Sequence, residues 1–165
     1  VRQAKELGLT LDVLLCCCGG GGLMSGIATA VSALSPTTRL YAVEPANYDD
    51  TKRSLAEGHR VANAPAAMSI CDAIVTPMPG ELTFPINQAK LAGGIAVSDA
   101  EAAEAVAYAA RVLKLTAEPG GAVALAAALS GKLDLKGLTV GVVISGGNID
   151  PALHAAIIAA DGLPG

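Results

Sequence analysis

The sequence contains no tryptophan, one phenylalanine and three tyrosines, so aromatic residues make up 2% of the chain. A core built from it has few large anchors and must pack small residues closely. Charge is sparse as well: Asp, Glu, Lys and Arg make up 16% of residues, against about 25% in an average globular protein. With 52% hydrophobic residues, that balance excludes a disordered chain. Lys and Arg form no cluster and the net charge is −4, which argues against nucleic acid as a partner. Every long apolar window is interrupted by glycine or charge, so no membrane-spanning helix and no membrane role is expected. Val1–Glu6 has no signal-peptide pattern. Cys16, Cys17, Cys18 and Cys71 form neither a CxxC pair nor a disulfide framework. They read as small buried apolar residues in a reducing, cytoplasmic setting.

The 165 residues amount to one domain. Val1-Arg2-Gln3-Ala4-Lys5-Glu6 opens in helical pattern without an initiator Met. The expectation is one partial domain over 1–165, a piece of a longer polypeptide. Val1–Leu7 reads as a helix stopped by Gly8, and Leu11–Cys18 as a strand buried on both faces. Helices are predicted over Leu23–Leu34 (with Ile27, Val31 and Leu34 on one stripe) and Asp50–Glu57. A strand is predicted over Arg39–Val43, ending at Glu44-Pro45. His59–Pro79 reads as loop with a short strand near Ala73–Val75. A helix over Glu81–Leu91, despite Pro85, precedes a strand at Ile95–Val97. Ser98-Asp99-Ala100-Glu101 is a capping-box signature for a helix reaching about Leu113. Glu118-Pro119 opens an alanine-rich helix to Leu129, and Leu138–Ile144 reads as the clearest buried strand. A last helix starts at Pro151. Strands alternating with helices predict an α/β layered fold, a mainly parallel sheet with helices on both faces.

Four consecutive glycines, Gly19–Gly22, separate a buried strand from a helix. Each costs conformational entropy on folding. Bare backbone N–H groups ahead of a helix N-terminus suit an anion, and phosphate is the natural guest. Leu23-Met24 after Gly22 excludes the nucleotide P-loop, which needs Gly-Lys-Ser/Thr there. The dinucleotide fingerprint fails narrowly, at Met24 or Ser25. Glu44 stands near where a ribose-binding acid would, so a dinucleotide-binding domain stays an alternative.

Four motifs then occur in order: Gly19-Gly20-Gly21-Gly22-Leu23-Met24-Ser25-Gly26-Ile27, Tyr41-Ala42-Val43-Glu44-Pro45, Glu118-Pro119-Gly120-Gly121-Ala122 and Ser145-Gly146-Gly147-Asn148. Together they resemble the fold-type II pyridoxal-phosphate (PLP) enzymes, and within them the threonine/serine dehydratase and serine racemase-like group, from about Val13 to Leu153. The resemblance implies the C-terminal part of the large cofactor-binding domain. It implies PLP as cofactor, with Gly19, Gly20, Gly21, Gly22 and Leu23 at its phosphate. Ser145 matches the serine whose hydroxyl meets the pyridine nitrogen and leaves it largely unprotonated. Glu118 matches the Glu-Pro position near the cofactor. It is equally a first-turn acid favourable to the helix dipole.

Glu44-Pro45-Ala46-Asn47-Tyr48-Asp49-Asp50 is similar to the divalent-cation site of the serine racemase-like members, with Glu44, the Tyr48 carbonyl and Asp50 as ligands. Hard oxygen donors fit Mg²⁺ or Ca²⁺; a solvated acidic helix start is the rival reading. Asp72-Ala73 departs from the group's Asp-Gly, so that glycine contact is not carried over. His59 and His154 read as surface or packing histidines.

The group binds its cofactor through a Schiff-base lysine in a Ser-x-Lys-x-Arg-like context, upstream of the glycine loop. Lys5, Lys52, Lys90, Lys114, Lys132 and Lys136 have no such context, so no catalytic residue is assigned within this chain. The resemblance implies an ammonia-lyase (dehydratase) converting L-threonine or L-serine to a 2-oxo acid and ammonia. The missing N-terminal half would supply the lysine, and a homo-oligomer is expected. Serine racemase-like activity and a non-catalytic phosphate- or partner-binding remnant are the alternatives.

Overall fold

The computed structural model describes residues 1–65 and 67–160; the last five residues of the expected unit lie outside them. A short helix α1 (Arg2–Glu6) leads to β1 (Val13–Cys17), whose five residues are all buried. A strand buried on both faces needs a continuous apolar run, and Val-Leu-Leu-Cys-Cys supplies it. Helix α2 (Gly22–Leu34) follows, then β2 (Arg39–Pro45) and α3 (Asp50–Glu57), which Gly58 closes in the left-handed conformation at φ 77°. Next come α4 (Thr83–Lys90), β3 (Gly93–Val97) and α5 (Asp99–Tyr108). Pro85 is tolerated in α4 because it sits in the first turn, where its missing N–H has no intrahelical partner. Ser98 and Glu101 form the expected capping box: Glu101 N–H donates to Ser98 Oγ at 3.1 Å and Ser98 N–H to Glu101 Oε2 at 2.6 Å. A π-helical turn, Ala109–Leu113, extends α5 before α6 (Pro119–Leu129), β4 (Val140–Val142) and α7 (Pro151–Ala159).

The four strands are parallel in the order β3-β2-β1-β4. Val13 pairs with Arg39 on one side and with Val140 on the other, and Val43 pairs with Ile95. Outward connections through α2 and α3–α4 and a return through α5–α6 place helices on both faces, as the handedness of parallel crossovers requires. This is the α/β fold expected. Nine of the eleven residues of α6 are buried, from Pro119 to Ala127. A helix apolar all round belongs between layers, and α6 lies between the sheet and α5. Its Gly, Ala and Val side chains let it approach the strands without aromatic bulk.

Two expectations are corrected. Residues 73–75 form no strand: Asp72–Ile74 is one turn of 3-10 helix, closed by Ile74 N–H donating to Cys71 O at 3.0 Å. Pro77 and Pro79 remove donors that a strand would need. The strand expected over 138–144 shortens to Val140–Val142 and is only half-buried, because β4 pairs with β1 alone. The buried positions of α2 are Met24, Ser25, Ala28 and Val31. Ile27, Val31 and Leu34 share one stripe as expected, and it lines an open apolar groove with Leu11, Leu14 and Val143. No helix of the described residues is long and apolar enough to cross a membrane.

Candidate functional site

The strand order dictates where a site can form. From β1 the chain leaves toward β2; it returns to β1's other side as β4. At such a switch point the two connections part and leave a crevice at the carboxyl ends of the strands. Both glycine loops fall there. They bound a cavity of about 310 Å³ lined by Gly19, Gly20, Gly21, Gly22, Leu23, Glu118 and Ser145, together with Cys17, Cys18, Met24, Ala73 and Ile74. All seven residues expected from sequence to meet the cofactor thus share one cavity.

The glycine-loop wall is braced from behind by α4. Gly21 adopts φ 87°, and a Cβ there would stand 2.7 Å from Thr83 Oγ1 and 2.8 Å from Asn87 Nδ2. Only glycine satisfies both the left-handed backbone and the contact. Thr83 Oγ1 donates to Gly20 O at 2.6 Å, and Gly80 N–H donates to the same oxygen at 3.1 Å. That carbonyl is therefore held away from the cavity, and the loop lies at the N-terminus of α2, where the helix dipole favours an anion.

The opposite wall is the loop after β4, docked on the start of α6. Ser145 N–H donates to Gly121 O at 3.3 Å, and Glu118 N–H to Gly146 O at 3.0 Å. Glu118 Oε2 accepts from Asn148 N–H at 3.1 Å. A Cβ on Gly121 would meet Gly146 O at 2.5 Å, so this approach requires bare backbone. Glu118 makes no side-chain cap on α6; its carboxylate ties the Ser145–Asn148 loop instead. Ser145 Oγ lies 3.0 Å from Cys17 Sγ.

Sequence reasoning missed Cys17, Cys18, Met24, Ala73 and Ile74. The cysteines are buried and unpaired by disulfide as expected, but the end of β1 brings two of them to the cavity. Ala73 stands at the position where the group's pattern has glycine. The turn carrying it packs on Gly19 and Gly120, the only signal being the glycines themselves.

The two candidate cation carboxylates are buried, and Tyr48 is half-buried. Glu44 and Asp50 are 0% and 1% exposed. Glu44 Oε1 and Oε2 accept from the N–H groups of Thr51 and Lys52 at 2.9 and 2.8 Å, holding the N-terminus of α3. Burial pushes the Glu44 carboxyl up to about 8 despite these bonds, and burial also raises Asp50. Asp50 Oδ1 accepts from Asn63 Nδ2 at 2.5 Å, while Oδ2 is buried without a partner. The Tyr48 hydroxyl donates to Ala67 O at 2.5 Å, leaving only its backbone carbonyl as a candidate ligand. No cluster of three or more His, Cys, Asp and Glu that could hold a metal occurs among the described residues. With its oxygens enclosed, Glu44 is closed to a ribose hydroxyl, which removes the sequence support for a dinucleotide-binding domain.

A family model described as pyridoxal-phosphate dependent enzyme matches residues 2–146. The L-threo-3-hydroxyaspartate ammonia-lyase of Pseudomonas sp is 36% identical over 148 residues, covering 90% of this chain and 46% of that protein. The L-threonine ammonia-lyase of Thermotoga maritima is 36% identical over 136 residues, covering 82% of this chain and 33% of that protein. Among solved structures, a threonine deaminase of T.th. superimposes with a TM-score of 0.85 at 39% identity, covering 90% of this chain and 53% of the other. Serine racemase of Dictyostelium discoideum gives a TM-score of 0.81 at 36% identity, covering 90% and 48%. The chain spans about half the length of most of these relatives.

Proposed function

The chain belongs to the pyridoxal-phosphate dependent enzyme family, and from that premise we propose that the complete protein is an ammonia-lyase converting L-threonine or L-serine to a 2-oxo acid and ammonia. One observation carries the reading: two chain-distant glycine loops close on one cavity at the carboxyl ends of adjacent strands. When bound there, pyridoxal phosphate supplies a conjugated ring that draws electrons from the substrate's α-carbon. The N–H groups of Gly19–Gly22 and the N-terminus of α2 would hold its phosphate, with Leu23 beside them. The Ser145 hydroxyl would meet the ring nitrogen, and Glu118 fixes the loop that carries it. A hydroxyl partner leaves that nitrogen largely unprotonated, which suits β-elimination.

None of the chain's lysines lines the cavity. The lysine that takes the cofactor is assigned to the other half of the protein. That half is also the natural cover for the groove of Leu11, Leu14, Ile27 and Leu34. Apart from it, this chain is expected to bind without turnover.

We propose further that Glu44, the Tyr48 carbonyl and Asp50 hold a Mg²⁺ or Ca²⁺ ion. The donors are hard oxygens, and the orphaned Asp50 Oδ2 is a buried acceptor with no other partner. Such an ion, bound beneath α3, would stabilise the fold rather than touch substrate.

The test is the complete protein loaded with pyridoxal phosphate and given L-threonine, L-serine or their D-enantiomers. Stoichiometric 2-oxo acid and ammonia from the L-substrates is the expected result. D-serine formed without 2-oxo acid would favour racemisation, the reading supported by serine racemase relatives at 33–38% identity. No turnover with cofactor bound would leave a binding remnant.

A further inference from the structure

Cys17 is 4% exposed, borders the cavity and stands 3.0 Å from Ser145 Oγ across 128 residues of sequence. Either atom can donate in this pair. Each side chain carries one proton, so only one can be spent between them. We propose that Cys17 is a positioning residue for Ser145: its thiol, when protonated, donates to Ser145 Oγ and leaves the serine proton free to point into the cavity, whereas the deprotonated sulfur captures that proton and turns a serine lone pair toward the cavity. The proposal rests on the reading of Ser145 as the partner of the cofactor's ring nitrogen. In the first state that nitrogen meets a donor; in the second it meets an acceptor.

The surroundings favour ionisation at this one sulfur. The adjacent Cys16 thiol lowers the Cys17 thiol to about 6, against the opposing effect of burial, and the Ser145 hydroxyl lowers it further. The groups facing it are Ser145 on the loop after β4 and Glu118 ahead of α6, whose charge works in the opposite direction; Cys16, its strand neighbour, donates its thiol to the Cys17 carbonyl at 3.4 Å. Cys16 is pushed up by the neighbouring Cys17 and by burial, and burial pushes Cys18 up to about 12. Cys18 lies against Thr51 instead, at 3.5 Å. A strand alternates its faces, so the middle cysteine alone reaches Ser145.

The test has two arms, both on the complete protein. In the first, cofactor-free protein is alkylated with iodoacetamide across pH, and Cys17 labelling is read by peptide mass spectrometry. The midpoint should lie below the ordinary thiol range, and Ser145→Ala should raise it by about one pH unit, because the thiolate loses a donor. An unmoved midpoint would overturn the proposal. In the second, the dissociation constant of pyridoxal phosphate is measured from pH 5 to 8 for the wild type, Cys17→Ser and Cys17→Ala. Neither replacement ionises in that range. Wild-type affinity should fall several-fold relative to both variants as pH rises; parallel profiles would overturn the proposal. This arm also decides the matter should Ser145→Ala fail to fold. If the wild type does not bind pyridoxal phosphate at all, the cofactor reading fails, while alkylation still reports on the Cys17–Ser145 pair.

Discussion

Thr83 Oγ1 donates to the carbonyl of Gly20 across 63 residues of sequence, at 2.6 Å, so the first turn of α4 holds the back of the glycine loop. Gly80 N–H shares that oxygen. Removing the hydroxyl therefore weakens the brace without orphaning the carbonyl. In the complete protein, Thr83→Val should lower pyridoxal phosphate affinity about five-fold, the worth of one net hydrogen bond near 1 kcal/mol. Thr83→Ser should restore it. Equal affinities in an absorbance titration would remove α4 from the account of the site.

Gly21→Ala meets two obstacles, a left-handed backbone and the Thr83 and Asn87 side chains. The expected cost is about 1–3 kcal/mol of stability, with cofactor binding lost or reduced by more than tenfold. Thermal melting with and without cofactor separates these. A Gly22→Ala control, with nothing near its would-be Cβ, should melt close to the wild type.

With the proposed cation site, Glu44 and Asp50 should make stability depend on pH and on divalent cations. Burial raises both carboxyls above their unfolded values, so the folded state holds protons that the unfolded state has already lost. In chelator, stability should be greatest near pH 4–5 and fall as pH rises toward 8, by on the order of a few kcal/mol. Added Mg²⁺ or Ca²⁺ should reverse the loss at pH 8, and Glu44→Gln should flatten the profile. A melting temperature indifferent to cation at pH 8 would count against the site.

Glu118 predicts a different signature. Its carboxylate accepts from Asn148 N–H and contributes no cap to α6. Glu118→Ala should therefore loosen the loop after β4 and weaken cofactor binding several-fold, with a small effect on melting. Glu118→Gln, which keeps an acceptor, should behave nearly as wild type. A loss of stability equal to that of a removed helix cap, about 1 kcal/mol, with binding unchanged, would reverse the assignment.

Much of this could be read in the sequence because local signals agreed with the fold. Ser98 and Glu101 announced a capping box, Gly58 a helix stop, and the apolar run of β1 a central strand. The glycines of both loops announced the cavity's two walls. Failures came where a residue's surroundings, not its own chemistry, decided its state. Leu138–Ile144 reads as buried, yet β4 has a neighbour on one side only. Ala73–Val75 has strand-like residues, yet its hydrogen bonds close locally. Cys17 reads as one of three equivalent small residues; strand alternation and a loop 128 residues away single it out.

The parallel pairing of β1 with β4 has a consequence for how the protein is made. The glycine-loop wall is complete by α4, whereas Ser145 is placed only after β4. On a ribosome adding about 5–20 residues per second, the glycine loop waits for many seconds while its facing wall is still being translated. A pocket with both walls exists only once β4 and the loop after it have emerged, so a chain truncated before β4 would leave the ribosome with half a pocket and nothing to close it.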